Sequence, residues 1–260
     1  MSSFAAGWRI QRRVIGALMI RELVTRFGRE NIGFLWVMVE PLLFAGLVGI
    51  LWRFMKGPEE HGVSVVAFCA TGYLPLTFFR NAVTRSVRIF TVNSGLMYHR
   101  QIKIIDFIFV RVLIEMIGAM MAYVLIGALL MSIGEFPMPA DIGALVAGWF
   151  LYSFFVFSLC LILAPLSEMS EVLEKIMPVT TYVMIPFSGT FYMVSWLAPQ
   201  AQAAMYYSPF VQGMEIMRYG IFGDAVNAQW NITVPLASSM VLTLIGLVLC
   251  RRVRRRLVVE

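Results

Sequence analysis

The sequence predicts an all-α integral membrane protein: six transmembrane helices, an N-terminal interfacial amphipathic helix, and re-entrant helices ahead of the last span. Three observations predict it. Of the 260 residues 60% are hydrophobic and 14% charged, with mean hydropathy +0.79, more apolar surface than a soluble domain of this length can hide. The apolar stretches between charged clusters repeatedly exceed the roughly 18 to 20 residues that carry a helix across about 30 Å of hydrocarbon. Ile142 to Leu166, for example, contains no Asp, Glu, Lys or Arg. A membrane barrel would instead alternate over segments of about ten residues. Third, lysine and arginine gather at alternate boundaries of the spans, as cytoplasmic flanks do.

The elements follow in chain order. Residues 4–30 mix Trp8, Ile10, Val14, Leu18, Leu23 and Phe27 with arginines, which suits a helix lying in the cytoplasmic interface. The apolar run VIGALMI inside it is too short for a signal-peptide core and leads straight into Arg21 and Glu22, so it is expected to stay on the protein. Six spans follow: Ile32 to Met55, Gly62 to Val83, Ile104 to Ile133, Ile142 to Leu166, Ile176 to Leu197, and Ile232 to Cys250. Arg9, Arg12, Arg13, Arg21, Arg26 and Arg29 precede the first span. Arg85, Arg88, Arg100 and Lys103 lie between the second and third, and Arg251, Arg252, Arg254, Arg255 and Arg256 follow the sixth. These three regions belong in the cytoplasm, with both termini, as an even span count requires. The opposite loops offer Lys56, none in GEFPMPAD, and Arg218. The net charge of +6 is therefore read as orientation, and nucleic-acid binding is the weaker reading.

From Ile176 to Met214 no residue is charged, and Pro178, Pro186, Pro199 and Pro209 interrupt the run. That is too long for one span and too short for two with a loop. It predicts a span followed by short re-entrant helices on the outer side, in residues 198–230, where broken backbone is tolerated under a cover of protein. No linker divides the chain, so 1–260 reads as a single transmembrane domain.

Chemistry-bearing groups are few. His61 and His99 fall on opposite sides of the membrane, which leaves no His-based metal or hydrolytic site within one chain. No GxxxxGK[ST] phosphate loop is present, so no cofactor is expected in this chain and any ATP must be handled by a partner. Cys69, Cys160 and Cys250 all lie in apolar segments and read as small core residues. The NIT sequence at Asn231 reads as a chance sequon. Glu40, about 12 Å into the first span at 1.5 Å per residue, precedes Pro41, which frees the carbonyl of Val37. A carboxylate there must face protein or water, as a buried tether or a contact for cargo. Arg111 and Glu115 can pair at i, i+4 on the third span. In WFLYSFFVF, Phe150, Phe154 and Phe157 share a face of the fourth span, suited to helix packing, lipid contact or stacking on sugar rings. Phe191, Tyr192, Trp196, Tyr206 and Tyr207 fit an interfacial belt, and the Gly143 to Ala147 and Ala144 to Gly148 spacings permit close helix contact.

Three stretches carry a family resemblance: RELVTRFGRENIGFLWVMVEP (Arg21 to Pro41), NSGLMYHRQIKIIDFIFVRVLIE (Asn93 to Glu115) and, more loosely, SPFVQGMEIMRYG (Ser208 to Gly220). With the topology they make the chain similar to the membrane permease subunit of ABC-type capsular polysaccharide exporters of Gram-negative bacteria. The resemblance implies an inner-membrane permease that is not itself an enzyme. Two copies would pair with two copies of an ABC ATPase holding Mg-ATP, and a periplasmic and outer-membrane apparatus would receive the product. The cargo it implies is an acidic polysaccharide on a phosphatidylglycerol anchor bearing octulosonate sugars. Residues 84–103 become the cytoplasmic coupling loop, with Arg88, Ser94, Gly95, Leu96, Met97, Tyr98, His99 and Arg100 as ATPase contacts. Arg21, Arg26, Arg29, Arg85 and Lys103 would meet anionic cargo at the entrance, and Glu40, Phe150, Phe154, Tyr192 and Trp196 would line its path. The alternatives are a permease for another lipid-linked polymer, such as O-antigen or teichoic acid, an ion-coupled carrier using Glu40, and a membrane-embedded transferase.

Overall fold

The computed structural model describes residues 3–27, 33–98 and 101–257, and side chains at 5–25, 39, 42–98 and 101–255. Helix α1 (Ser3–Phe27) lays Val14, Ile15, Leu18, Met19 and Leu23 on the core, while Trp8, Ile20 and Val24 stay exposed on its other side. Spacings of three to five residues make that inward stripe. Helix α2 (Gly33–Lys56) runs unbroken through Pro41. A two-residue hairpin that the sequence did not announce follows: β1 (Glu59–Glu60) pairs antiparallel with β2 (Val63–Ser64), in register Glu59 to Ser64 and Glu60 to Val63. His61 and Gly62 both take positive φ, 54° and 79°, as the tight turn demands. The Ser64 side chain then accepts from Ala67 N at 3.5 Å and opens α3 (Val65–Ser86).

Past α3 the chain folds into two single turns, α4 (Ile89–Val92) and α5 (Ser94–Met97), before the long α6 (Ile104–Ser132). Asp106 in the first turn of α6 accepts from Lys103 N at 2.9 Å. Helix α7 (Ile142–Met169), capped by Asp141, is the centre of the bundle, with α3, α6, α8, α10 and α11 packed around it. The α7 side chains Trp149, Tyr152, Phe155, Val156 and Leu161 form the middle of the core. Helix α11 (Thr233–Leu257) lies along α7, joined where Ser158 Oγ donates to Ser239 O at 3.0 Å. By length and composition α6, α7 and α11 can each cross a membrane, and α2 and α3 are 24 and 22 residues long. Among the described residues the structure is all-α apart from the small hairpin.

The expected fifth span, Ile176 to Leu197, is not one helix. Helix α8 starts earlier and ends sooner, at Glu171–Val183. Pro186 has no N–H to give the Tyr182 carbonyl, and Gly189 takes φ +75°, so the chain turns through 3₁₀ segments at Ile185–Phe187 and Val194–Trp196. Two helices then form a V: α9 (Pro199–Tyr206) and α10 (Pro209–Phe222), each with proline in its first turn. At the apex Phe210 meets Tyr152 at 5.3 Å, Phe155 at 5.7 Å and Phe79 at 4.6 Å, halfway along α7. At its far end Asp141 N donates to Gly220 O at 2.9 Å. Helix α10 is therefore a buried strut and not a loop, which corrects the expectation for Arg218: it is a core residue, 1% exposed, and not an outer-loop cation. A Cβ on Gly213 would sit 3.0 Å from Tyr152 Cβ, so glycine lets α10 approach α7 this closely.

Candidate functional site

Most of the charged side chains paired between elements lie at the arginine-rich end, around the elbow from Val87 to Tyr98. After α3 the chain is extended at Val87 and left-handed at Arg88, φ 57°, a corner that a non-glycine residue occupies at a cost and that its neighbours must hold. Four ties hold it. Arg88 Nε pairs with Glu174 of α8 at 3.0 Å. Thr91 Oγ1 donates to Glu168 at the end of α7 at 2.8 Å. Buried Asn93 donates from Nδ2 to Ile89 O at 2.7 Å and accepts from Arg21 Nη1 of α1 at 2.8 Å. The apolar side chains Ile89 and Phe90 complete the anchor, both fully buried. On its outer side the elbow exposes two large apolar side chains, Tyr98 at 91% and Val92 at 65%, among the exposed Arg88, Thr91, Ser94 and Gly95.

A second layer lies just behind. Glu115, 2% exposed, pairs with Arg85 at 3.1 Å. Arg111 pairs with Glu22 of α1 at 2.6 Å and donates to Arg85 O at 2.7 Å. Gln11 of α1 donates to Asp106 at 2.5 Å. The expected i, i+4 pair of Arg111 with Glu115 is thus replaced by pairs across helices: each acid and base sits where another helix supplies the opposite charge in a partly desolvated seam, a stronger arrangement than two exposed neighbours on one helix. These contacts make α1, the elbow and the starts of α6 and α8 one charged lattice. A groove of about 550 Å³ remains between α1 and the elbow, lined by Val14, Ala17, Leu18, Arg21, Leu96, Gln101 and Ile102.

Of the residues expected to touch an ATPase, Arg88, Ser94, Gly95, Leu96, Met97 and Tyr98 share the elbow, while His99 and Arg100 lie outside the described residues. Of the expected cargo residues, Arg21, Arg85 and Lys103 gather at the same end, although Arg21 and Arg85 are already engaged with protein. Arg29 and the side chains of Arg26 and Glu40 lie outside the described residues. Phe150 and Phe154 are far from the elbow; with Phe109, Met116 and Phe157 they line an open groove between α6 and α7 of about 290 Å³. Tyr192 and Trp196 are at the opposite end, where Trp196 stacks on His61 at 4.2 Å and meets Phe68 tilted at 4.7 Å, and the Tyr192 hydroxyl meets Met205 Sδ at 3.3 Å. The structure does not bring these four aromatics together with the arginines.

The polar row of α10 was missed by residue-level reading. Gln212, Glu215 and Arg218 recur every third residue, so they share one face. All three are buried. Arg218 donates to Gly189 O at 2.6 Å, to Tyr192 O at 2.9 Å and to Thr190 O, and its guanidinium carbon lies 3.8 Å from the Phe68 ring centroid. Glu215 accepts from Val194 N at 2.8 Å and Gln229 N at 3.0 Å; Gln212 accepts from Asn231 N at 2.5 Å and donates to Tyr206 O at 2.6 Å. These side chains satisfy backbone groups of the irregular segments 189–194 and 229–231, which would otherwise be buried unpaired. The QxxExxR spacing within SPFVQGMEIMRYG was the signal that could have found them.

The family model for the ABC-2 type transporter matches residues 13–222, which includes α1 from Arg13, the elbow and α10. The chain is 38% identical over 250 residues to the capsule polysaccharide export inner-membrane protein BexB of Haemophilus influenzae, covering 96% of this chain and 94% of that one. It is 40% identical over 246 residues to the capsule polysaccharide export inner-membrane protein CtrC of Neisseria meningitidis serogroup B, covering 95% and 93%. To the polysialic acid transport protein KpsM of Escherichia coli it is 26% identical over 251 residues, covering 95% of each. With the family model spanning most of the chain and near full-length relatives at this identity, the chain belongs to the ABC-2 type transporter family, among the membrane permeases of capsule polysaccharide export.

Proposed function

We propose that this chain is the transmembrane subunit of an ATP-driven exporter that carries a lipid-linked acidic capsular polysaccharide across the inner membrane. Two copies work with two copies of an ABC ATPase that binds Mg-ATP, and a periplasmic and outer-membrane apparatus receives the polymer. The observation that carries this reading is the elbow: a corner held by α1, α7 and α8 that presents Val92 and Tyr98 outward. A projecting tyrosine and an exposed valine on one elbow are the kind of anchors a partner's pocket takes. Because the elbow is tied to α1, α7 and α8, a push on Tyr98 moves them together instead of bending a loop.

In this reading the elbow, α1 and both termini are cytoplasmic, which follows the arginine distribution. The V of α9 and α10 re-enters from the periplasmic side, sheltered by α7 and by the polar row that satisfies its broken backbone. One protomer of this size does not enclose a path for a hydrated chain, so the path runs between two copies. ATP binding draws the ATPases together, the elbows tilt the permeases, and the anionic, lipid-bearing end enters near Arg21, Arg26, Arg29, Arg85 and Lys103, whose guanidinium and ammonium groups suit phosphate and carboxylate.

The test is purification of the tagged chain from capsule-producing cells and detection of a co-purifying ABC ATPase. Tyr98→Ala combined with Val92→Asp should cut ATPase association and polymer export by roughly 30-fold or more, the scale of one lost anchor residue, while membrane levels hold. An unmodified chain that captures no ATPase, or a doubly substituted one that exports normally, refutes it.

A further inference from the structure

Arg80 is an arginine of α3 that the elbow network does not use. Helices α3 and α8 run antiparallel: Arg88, just past α3, pairs with Glu174, and eight residues along from each the guanidinium carbon of Arg80 lies 4.0 Å from the Tyr182 ring centroid. Eight residues of helix are about 12 Å, so Arg80 lies that far along α3 from the elbow. Its neighbour Phe79 meets Phe210 at 4.6 Å, at the level where Phe210 meets Phe155 halfway along α7. Among the described residues the Arg80 guanidinium has no hydrogen bond or ion pair, and its Nε is buried without a partner. The contrast with its neighbours is sharp: Arg85 and Arg111 have carboxylates, and Arg218 has three carbonyls.

An intramembrane cation without an anion is costly and marks a place where one is met. The geometry is suited to it. The guanidinium carbon lies 4.0 Å from the Tyr182 ring centroid, a cation–π contact that supplies no anion to the guanidinium N–H groups, the groups that grip a carboxylate or phosphate. Tyr182 is 58% exposed and sits between Val179 and Val183, themselves 60% and 58% exposed on α8, so the pair opens outward from the protomer and not into its core. The free face of the Tyr182 ring can lie against the apolar side of a sugar.

We propose that Arg80 and Tyr182 form an anion subsite inside the membrane, which takes the carboxylate or phosphate oxygens of the chain being exported. The subsite rests on the export reading above. A single arginine on an aromatic ring binds a passing charge without trapping it, as conduction requires, and two copies place one such site on each wall of the path. The same chemistry would also hold the phosphate of a lipid headgroup.

The test places benzoylphenylalanine at Val183 of the full chain, co-expressed with its ATPase, and irradiates cells that make polymer and cells blocked in its synthesis. Adducts of polymer length, present only in polymer-making cells and reduced roughly tenfold by Arg80→Gln but less by Arg80→Lys, are expected. An Arg80-dependent adduct with phospholipid in both cell types would assign the subsite to headgroups. Should Arg80→Gln fail to assemble with the ATPase, Tyr182→Leu on the exposed face of α8 carries the same expectation. Adducts unchanged in Arg80→Gln, or in Tyr182→Leu where the first does not assemble, overturn the subsite. That result leaves the export reading intact as long as the unmodified chain still captures its ATPase.

Discussion

Asn93→Ala tests whether the elbow is held by its side-chain ties or merely follows the chain. Asn93 is 5% exposed; its Nδ2 donates to the Ile89 carbonyl at 2.7 Å and its Oδ1 accepts from Arg21 at 2.8 Å. A hydrogen bond to a charged group contributes about 1.5 to 3 kcal/mol and a neutral one about 0.5 to 1.5 kcal/mol, so losing both weakens the closed elbow by about 3 kcal/mol. At 1.4 kcal/mol per factor of ten, the open population rises on the order of 100-fold. The assay is amide hydrogen exchange on the detergent-solubilised complex. Val92 N, Asn93 N and Leu96 N, which donate to Arg88 O, Phe90 O and Asn93 O, should exchange about 100-fold faster, while the amides of α7 stay unchanged. Arg21→Ala should reproduce the larger part of the effect, and the double substitution should add little to Asn93→Ala, because both remove the same bond. Exchange at these amides within about threefold of the parent would refute the reasoning and leave the elbow held by its buried Ile89 and Phe90 alone.

Gly220→Val should destabilise the protein by several kcal/mol, seen as a lowered Tm in detergent, because a Cβ there would sit 2.7 Å from Leu145 Cα and 2.8 Å from Asp141 O, both backbone atoms that cannot yield. Arg218→Met should free the segment 189–192, whose three carbonyls it serves, costing about 3 kcal/mol or more and raising proteolysis between Ser188 and Leu197; Arg218→Lys should recover only part, since one ammonium cannot reach three divergent carbonyls. At the end opposite the elbow, hydrogen bonding from Ser64 and then Arg53 hold the Glu135 carboxyl below its ordinary 4.5. A folded pKa lowered in this way contributes stability that is fully present above the ordinary value and lost as pH falls through the folded one. Exchange protection of the Glu59 to Ser64 hairpin should therefore be full above the ordinary carboxyl value and be lost as pH falls through the lowered folded one, and Ser64→Ala should move that loss to higher pH.

The starts of the apolar helices were legible because hydrocarbon demands long apolar runs: the expected starts of the first, third and sixth spans, Ile32, Ile104 and Ile232, fall within one residue of the starts of α2, α6 and α11. The elbow was legible from its arginines, yet its stability was not. Arg21 and Asn93 are 72 residues apart, Thr91 and Glu168 are 77, and no local pattern links them. The i, i+4 rule misassigned Arg111 because a partner from α1 was invisible along α6.

By itself the sequence determined that this chain is helical, where its apolar helices lie, and which end gathers the positive charge, because those follow from composition and from the thickness of a membrane. The prolines announced that the uncharged run after Ile176 breaks; only the tertiary structure decided that α8 stops at Val183 and α10 packs as a buried strut, that Gln212, Glu215 and Arg218 are the staples of that break, and that Arg80 is left with an aromatic ring for company. The physical reason is common to all three. An irregular backbone or a buried charge is tolerable only if another part of the chain, distant in sequence, satisfies it, and that supply is a property of the packed fold.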